Sequence, residues 1–189
     1  SVASRGLGDV YKRQVMMVDE KTQLIDGDQI LYVMSGSRVD NGSMLGGGGG
    51  TVMTNLGLEL ACQMRGIPFA RAAVGDRHVH EMLRQRGWVL GGETSGHIRC
   101  REKSTTGDGI IAALDVLESM ITKDRPLSAL TSGMEVFPQT NINVSLKNGQ
   151  QFPEESIKRA AVQEVLREVE QTLGTEGRVV LRPLSLIHI

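Results

Sequence analysis

The chain has 189 residues, 40% hydrophobic and 23% charged, enough for one domain or two small ones. A formal net charge of −1 and only 3% aromatic residues argue against a nucleic-acid surface, a base-stacking platform and an acidic-membrane partner. Cys62 and Cys100 are the only cysteines and have no CxxC spacing, which points to a reduced, cytoplasmic setting and away from zinc; no apolar run approaches a membrane span.

Residues 1–14, SVASRGLGDVYKRQ, show neither an amphipathic period nor the apolar centre of a signal peptide. LSLIHI at 184–189 is an apolar stub without cap or turn. Both ends are similar to translated adapter sequence and are set aside as foreign. Val15-Met16-Met17-Val18 and Leu24-Ile25 read as a hairpin feeding a helix over about 29–35, with Asp26 or Asp28 near its start. Residues 36–50 read as loop. The five glycines 46–50 read as slack chain, because they match neither GxxxxGK[ST] nor a strand-bound GxGxxG.

A strand–helix unit then recurs. Residues 51–54 read as a strand, and Asn55 caps a helix that runs to about Arg65 and stops at Gly66. Residues 69–74 read as the next strand. Asp76 caps a helix carrying Val79, Met82 and Leu83, which stops at Gly87, and 88–90 read as the third strand. Such short links imply a parallel sheet. Asn55, Gly75-Asp76-Arg77 and Gly91–His97 then all leave from the strands' C-terminal edge, where such sheets bind ligands.

The third of these loops, GGETSGH at 91–97, holds three glycines, a carboxylate, two hydroxyls and an imidazole. That is more than a hairpin requires. It reads either as a polar surface loop or as a pocket for a polyhydroxylated ligand, and its place on the edge favours the pocket. Residues 98–100 follow with no room for a crossover and pair antiparallel. Asp108 starts a helix over 110–121 whose core face is Ile110, Ile111, Leu114, Leu117 and Ile121, with Asp115 and Glu118 towards solvent. Lys123 to Pro126 reads as a domain boundary. After it come a short helix at 127–130, a strand at 140–146, a helix at 153–173 and a strand at 178–181.

GGETSGH (91–97), STTGDGI (104–110), NLGLELA (55–61), GIPFARAAVGDRHV (66–79) and LTSGMEVFPQ (130–139) together resemble the α-D-phosphohexomutase family, in its bacterial phosphoglucosamine mutase branch. The resemblance spans about 15–183. It implies an α/β fold: a three-layer α/β/α domain with a mostly parallel sheet, followed by a partial α+β domain. Residues 15–25 would be a remnant of domain 2, residues 26–125 the sugar-binding domain 3, and residues 127–183 part of domain 4. Domain 1, the rest of domain 2 and the rest of domain 4 would lie outside this chain.

Several further expectations come from the resemblance. The family's activity is isomerisation of glucosamine 6-phosphate to glucosamine 1-phosphate, through a phosphoserine and a bisphosphate, feeding cell-wall precursor synthesis. Mg²⁺ acts in the whole protein. No catalytic residue and no metal ligand fall in this stretch, so the chain alone is expected to be inactive. Glu93 and Ser95 match the positions that hold sugar hydroxyls, and a carboxylate suits two adjacent hydroxyls. Thr94 stands where the family usually has asparagine. His97 reads as a phosphate or proton-transfer group, or as an imidazole that anchors the loop. Arg77 reads as a phosphate contact or a solvated helix-start residue. Arg182 is similar to the arginine that opens the family's phosphate loop. His78 and His80 read as surface residues. The expected partner is a hexosamine phosphate. Phosphomannomutase or phosphoglucomutase specificity, and a non-catalytic sugar-phosphate or nucleotide-binding module, are the alternatives.

Overall fold

The computed structural model describes residues 2–3, 13–144, 154–174 and 177–182. The chain divides into two compact units, Ser1–Phe137 and Pro138–Ile189. The first opens on a small antiparallel sheet of β1 (Val2–Ala3), β2 (Met16–Val18) and β3 (Leu24–Ile25), in that order. β1 and Gln14 fall in the stretch set aside as foreign; β1 pairs with Met16 and Met17, and Gln14 forms a bridge with His97. Residues 184–189 lie outside the described residues.

Helix α1 (Gly27–Asp40) begins with a reciprocal cap. Asp26 Oδ1 accepts from the Gln29 amide at 3.0 Å, and Gln29 Oε1 accepts from the Asp26 amide at 3.2 Å. Of the two aspartates read near this start, Asp26 is the cap; Asp28 is fully buried and does something else. The helix runs five residues beyond the expected Ser35. Gly36 and Ser37 are weak helix formers, but tertiary contacts outweigh propensity there. The Arg65 guanidinium packs against Gly36, and the buried Arg38 pairs with Glu102 and Asp115.

The second sheet has the order β5-β4-β6-β7: β4 (Gly48–Thr51), β5 (Phe69–Ala72), β6 (Leu90–Gly92) and β7 (Ile98–Cys100). β4 is central and parallel to both β5 and β6; β7 runs antiparallel to β6. Residues 48–50 are therefore not slack chain. They form most of the central strand, and Val52 to Thr54, expected to be strand, lie beyond its end. At Gly49 and Gly50 the lack of a side chain is what the packing needs. A Cβ on Gly49 would stand 2.9 Å from Leu83 Cδ2, and one on Gly50 would stand 2.8 Å from the Phe69 ring. The third strand is likewise displaced, so that Gly91 and Gly92 belong to β6.

Helices α2 (Leu56–Met64) and α3 (Asp76–Arg86) are the two crossovers. Asn55 caps α2 through Gly57, and Gly66 and Gly87 carry positive φ at the helix ends, as read. α1 and α2 cover one face of the sheet and α3 the other, which gives the α/β/α layering.

α4 (Gly109–Lys123) is capped by Asp108, whose carboxylate accepts from the Ile110 and Ile111 amides. Its buried face differs from the expected one. Ala112, Ala113, Asp115, Val116 and Ser119 are buried, whereas Ile110 is 64% and Ile121 81% exposed, and Leu114 and Leu117 are also exposed. Small residues let α4 approach α1 closely. Asp115 is buried because Arg38 and Lys103 both pair with it. Hydrophobicity alone chose the wrong face because it could not see those cations.

α5 (Leu127–Thr131) adds Leu127 to the core, and Met134 joins it, so the first unit continues past the 123–126 segment to Phe137. In the second unit, α6 (Glu154–Ile157) and α7 (Ala160–Leu173) replace the single expected helix, because Arg159 is extended (φ −61, ψ 138) and starts α7. Residues 140–144 and 177–182 have no regular structure, against the expected strands. A strand requires a neighbour to satisfy its amides and carbonyls. Residues 145–146 lie outside the described residues.

Candidate functional site

Three parallel strands end on one edge, and hydrogen bonds show that the loops leaving them touch. Glu93 Oε1, after β6, accepts from the Gly75 amide, after β5, at 2.9 Å. Thr94 Oγ1 donates to Asp28 Oδ2 at 2.8 Å, and the same oxygen accepts from the Asn55 amide, after β4, at 2.8 Å. The rim read from topology is therefore a connected surface.

The Glu93–His97 loop is a tight reversal. Gly96 donates to the Glu93 carbonyl at 2.9 Å, and the Glu93 amide donates to the His97 carbonyl at 3.1 Å. Two neighbouring elements press on it. The Gly27 amide donates to the Thr94 carbonyl and the Val15 amide to the Gly96 carbonyl, both at 2.9 Å. Contact is so close that a Cβ on Gly96 would stand 2.0 Å from the Val15 carbonyl, and Gly96 has φ +88. Only glycine fits there.

On this scaffold the side chains separate. Ser95 is exposed at the tip and Glu93 is half-buried beside it. Among the described residues, Glu93 Oε2 has no hydrogen-bond partner, and Oε1 keeps a second lone pair. The pair can accept from adjacent hydroxyls while the Gly75 amide fixes the carboxylate. The Thr94 hydroxyl turns inward to Asp28. His97 is buried, with Nε2 3.0 Å from Asp76 Oδ1 but poorly aligned for a hydrogen bond. A Cβ on Gly107 would meet that nitrogen at 2.3 Å, so the ring is covered. Arg77 is exposed in the first turn of α3. Arg182 is exposed in the second unit.

Asp76 is not the cap of α3. Gly75 takes that position (φ +121) without a side-chain bond. The Asp76 carboxylate instead meets Arg99 through both oxygens, as well as His97. Burial works against its ionisation, but the adjacent His97 ring and the Arg99 guanidinium, which meets both oxygens, hold it well below the usual carboxylate range. His80 is half-buried rather than superficial, with Nδ1 3.1 Å from Arg99 Nη1, while His78 is exposed as read. Asp28 goes the other way. Burial raises it to about 6 although the Asn55 amide and the Thr94 hydroxyl favour the charged form.

The sequence reading missed Arg99, His80 and Asp28. Arg99 left a signal, since an arginine between Ile98 and Cys100 in an apolar strand needs a buried counter-charge. Among the described residues no group of three or more His, Cys, Asp or Glu side chains could hold a metal ion. The interior cavity lined by Leu31, Leu58, Cys62, Phe69 and Leu90 is apolar and away from the rim, and it offers such a ligand nothing.

A family model described as phosphoglucomutase/phosphomannomutase, alpha/beta/alpha domain III, matches residues 26–137. The phosphoglucosamine mutase of Aeromonas hydrophila is 49% identical over 181 residues, covering 96% of this chain and 39% of that protein. The phosphoglucosamine mutase of Neisseria meningitidis serogroup B is 47% identical, with 96% and 38% covered. The chain thus spans about two-fifths of the length of these relatives. Two solved structures share the fold. An N-acetylphosphoglucosamine mutase from Aspergillus fumigatus, in complex with GlcNAc-6P and magnesium, has a TM-score of 0.66 at 16% identity, covering 86% of this chain and 42% of that one. A phosphoglucomutase/phosphomannomutase family protein from Burkholderia thailandensis has a TM-score of 0.58 at 22% identity, covering 65% and 27%.

Proposed function

The chain belongs to the phosphoglucomutase/phosphomannomutase family through its α/β/α domain III, and from that premise we propose that it is the sugar-holding part of a phosphoglucosamine mutase. The whole protein interconverts glucosamine 6-phosphate and glucosamine 1-phosphate. The observation that carries this reading is the Glu93 carboxylate, fixed by the Gly75 amide on the rim where three parallel strands end, with Ser95 exposed beside it. Relatives 47% and 49% identical that are phosphoglucosamine mutases support the amino-sugar branch.

In this reading Glu93 accepts two adjacent groups of the sugar ring, and charge-assisted bonds make it the main anchor. Ser95 adds a hydroxyl. Thr94 acts from behind the loop. Arg77, exposed on the same rim, is the candidate for the phosphate end, while the covered His97, beside Asp76, anchors the loop. Phosphoryl transfer needs positioning and charge neutralisation. Magnesium belongs to the whole protein, and no described cluster here fits it, so no step of this chain runs through it. Catalytic residues lie outside this stretch, and the chain alone holds sugar phosphate without turning it over. Two buried, unpaired thiols, Cys62 and Cys100, and the lack of any helix long and apolar enough to cross a membrane among the described residues favour a cytoplasmic setting.

The test is an NMR titration of the 189-residue chain with glucosamine 6-phosphate, glucose 6-phosphate, mannose 6-phosphate and a nucleotide. The amides of Gly75 and Glu93 to Gly96 are expected to shift most with glucosamine 6-phosphate. Tighter response to another hexose phosphate moves the specificity. Preference for the nucleotide, or no response at millimolar hexose phosphate, overturns the reading. A coupled mutase assay on the same chain is expected to give no turnover.

A further inference from the structure

Asp28 has no role in ligand contact, yet it is fully buried in the first turn of α1. Its Oδ1 has no hydrogen-bond partner, while Oδ2 accepts from the Thr94 hydroxyl and from the Asn55 amide, each at 2.8 Å, and the Thr54 hydroxyl also acts on the carboxylate. Burying a carboxylate with one oxygen unsatisfied is costly. A neutral or apolar residue would cap nothing less here, because Asp26 already caps α1. The bonds continue beyond Asn55. Its Oδ1 accepts from the Phe137 amide at 3.1 Å, and its Nδ2 donates to the Phe137 carbonyl at 2.8 Å. Phe137 closes the first unit.

We propose that Asp28 is a positioning residue: one carboxylate oxygen, Oδ2, ties the loop carrying the Thr94 hydroxyl to the start of α2, and Asn55 carries the tie to Phe137. The position of the ligand loop and the position of Phe137, at the end of the first unit, are thereby set together. Thr94 is the only side chain of the Glu93–His97 loop that bonds to α1. Its hydroxyl serves as a donor to Asp28, so position 94 requires a hydrogen-bond donor rather than a methyl group. Chains of hydrogen bonds in a buried setting reinforce one another, and breaking one loosens the rest. The inference rests on reading Glu93–His97 as a ligand loop, but the tie itself is judged without ligand.

Amide hydrogen exchange of the 189-residue chain, followed by NMR, tests it. Thr94→Val removes the hydroxyl at nearly constant volume. The amides of Gly96 and Phe137 are expected to exchange about tenfold faster, while Ile30 in α1 stays as in the unmodified chain. Thr94→Ser is expected to restore both. Affinity for glucosamine 6-phosphate is expected to fall about tenfold in the valine variant and to return in the serine variant. Should the valine variant not fold, Thr94→Ala removes the same hydroxyl and carries the same expectation. Unchanged exchange at Gly96 and Phe137, or a serine variant that behaves like valine, overturns the proposal. If the unmodified chain binds no hexose phosphate, the functional reading fails, and the exchange data still decide the tie.

Discussion

Glu93 Oε1 accepts the Gly75 amide at 2.9 Å, so the loop after β6 is fastened to the loop after β5 by the same carboxylate that faces a ligand. Glu93→Gln keeps an oxygen for that amide and removes the charge. Affinity for glucosamine 6-phosphate is expected to fall about tenfold, the difference between a charge-assisted and a neutral hydrogen bond, with little change in melting temperature. Calorimetry and thermal unfolding of the same sample check it. Equal affinity would remove Glu93 from the ligand.

Asp28 gives the protein a distinctive acid limb. Burial raises its carboxyl from 3.8 to about 6, against the Asn55 amide and the Thr94 and Thr54 hydroxyls, with nearby Asp26 adding to the rise. Below about pH 4 it is protonated folded and unfolded, and nothing is lost. Between about 4 and 6 the unfolded chain ionises first, and stability falls as pH rises, by about 3 kcal/mol in all. Above about 6 the loss is constant. Asp28→Asn removes this limb. The difference in urea-unfolding free energy between variant and unmodified chain is expected to grow from pH 4 to 6 and then level. A flat difference would show that Asp28 titrates normally.

Asp76 works in the opposite direction. Its carboxyl lies below the usual range, so its contribution is present above that range and is lost as pH falls through the folded value. Comparison of variants at one position separates the two effects.

Arg38 and Asp115 meet at 2.7 Å with 7% of each side chain exposed. Asp115→Ala leaves a buried guanidinium with Glu102 alone, and a loss on the order of 3 kcal/mol is expected in urea unfolding at pH 7. The double variant Arg38→Met, Asp115→Leu is expected to recover much of it, since an apolar pair of similar volume replaces the ions. A single variant of unchanged stability would mean that the pair is not formed.

Gly27 opposes helix propensity. Alanine normally gains about 1 kcal/mol over glycine within a helix, but a Cβ here would stand 2.0 Å from the Glu93 carbonyl. Gly27→Ala is expected to cost about 1–3 kcal/mol and to weaken ligand binding by displacing the loop. Gly48→Ala meets nothing closer than 3.6 Å and is expected to stay within about 0.5 kcal/mol. Chemical unfolding of both variants, with calorimetry on the first, decides the matter.

What was legible in the chain is what short-range chemistry dictates. Asn55 and Asp108 cap helices because their side chains reach amides two or three residues on, and Gly66 and Gly87 end helices because they tolerate positive φ. The short strand–helix links put the loops at 55, 75 and 93 on one edge, and the structure joins them there. Tertiary structure alone decided the rest. Gly49 and Gly50 lie in the central strand because Leu83, Met82 and Phe69 pack where their side chains would be. Asp115 went inside and Ile110 and Ile121 outside because Arg38 and Lys103 were waiting across the chain. Asp28, two residues from an aspartate that caps, turned to Asn55 and Thr94 instead. Each of these depends on a partner far away in sequence, and local periodicity carries no information about a neighbour that only folding supplies.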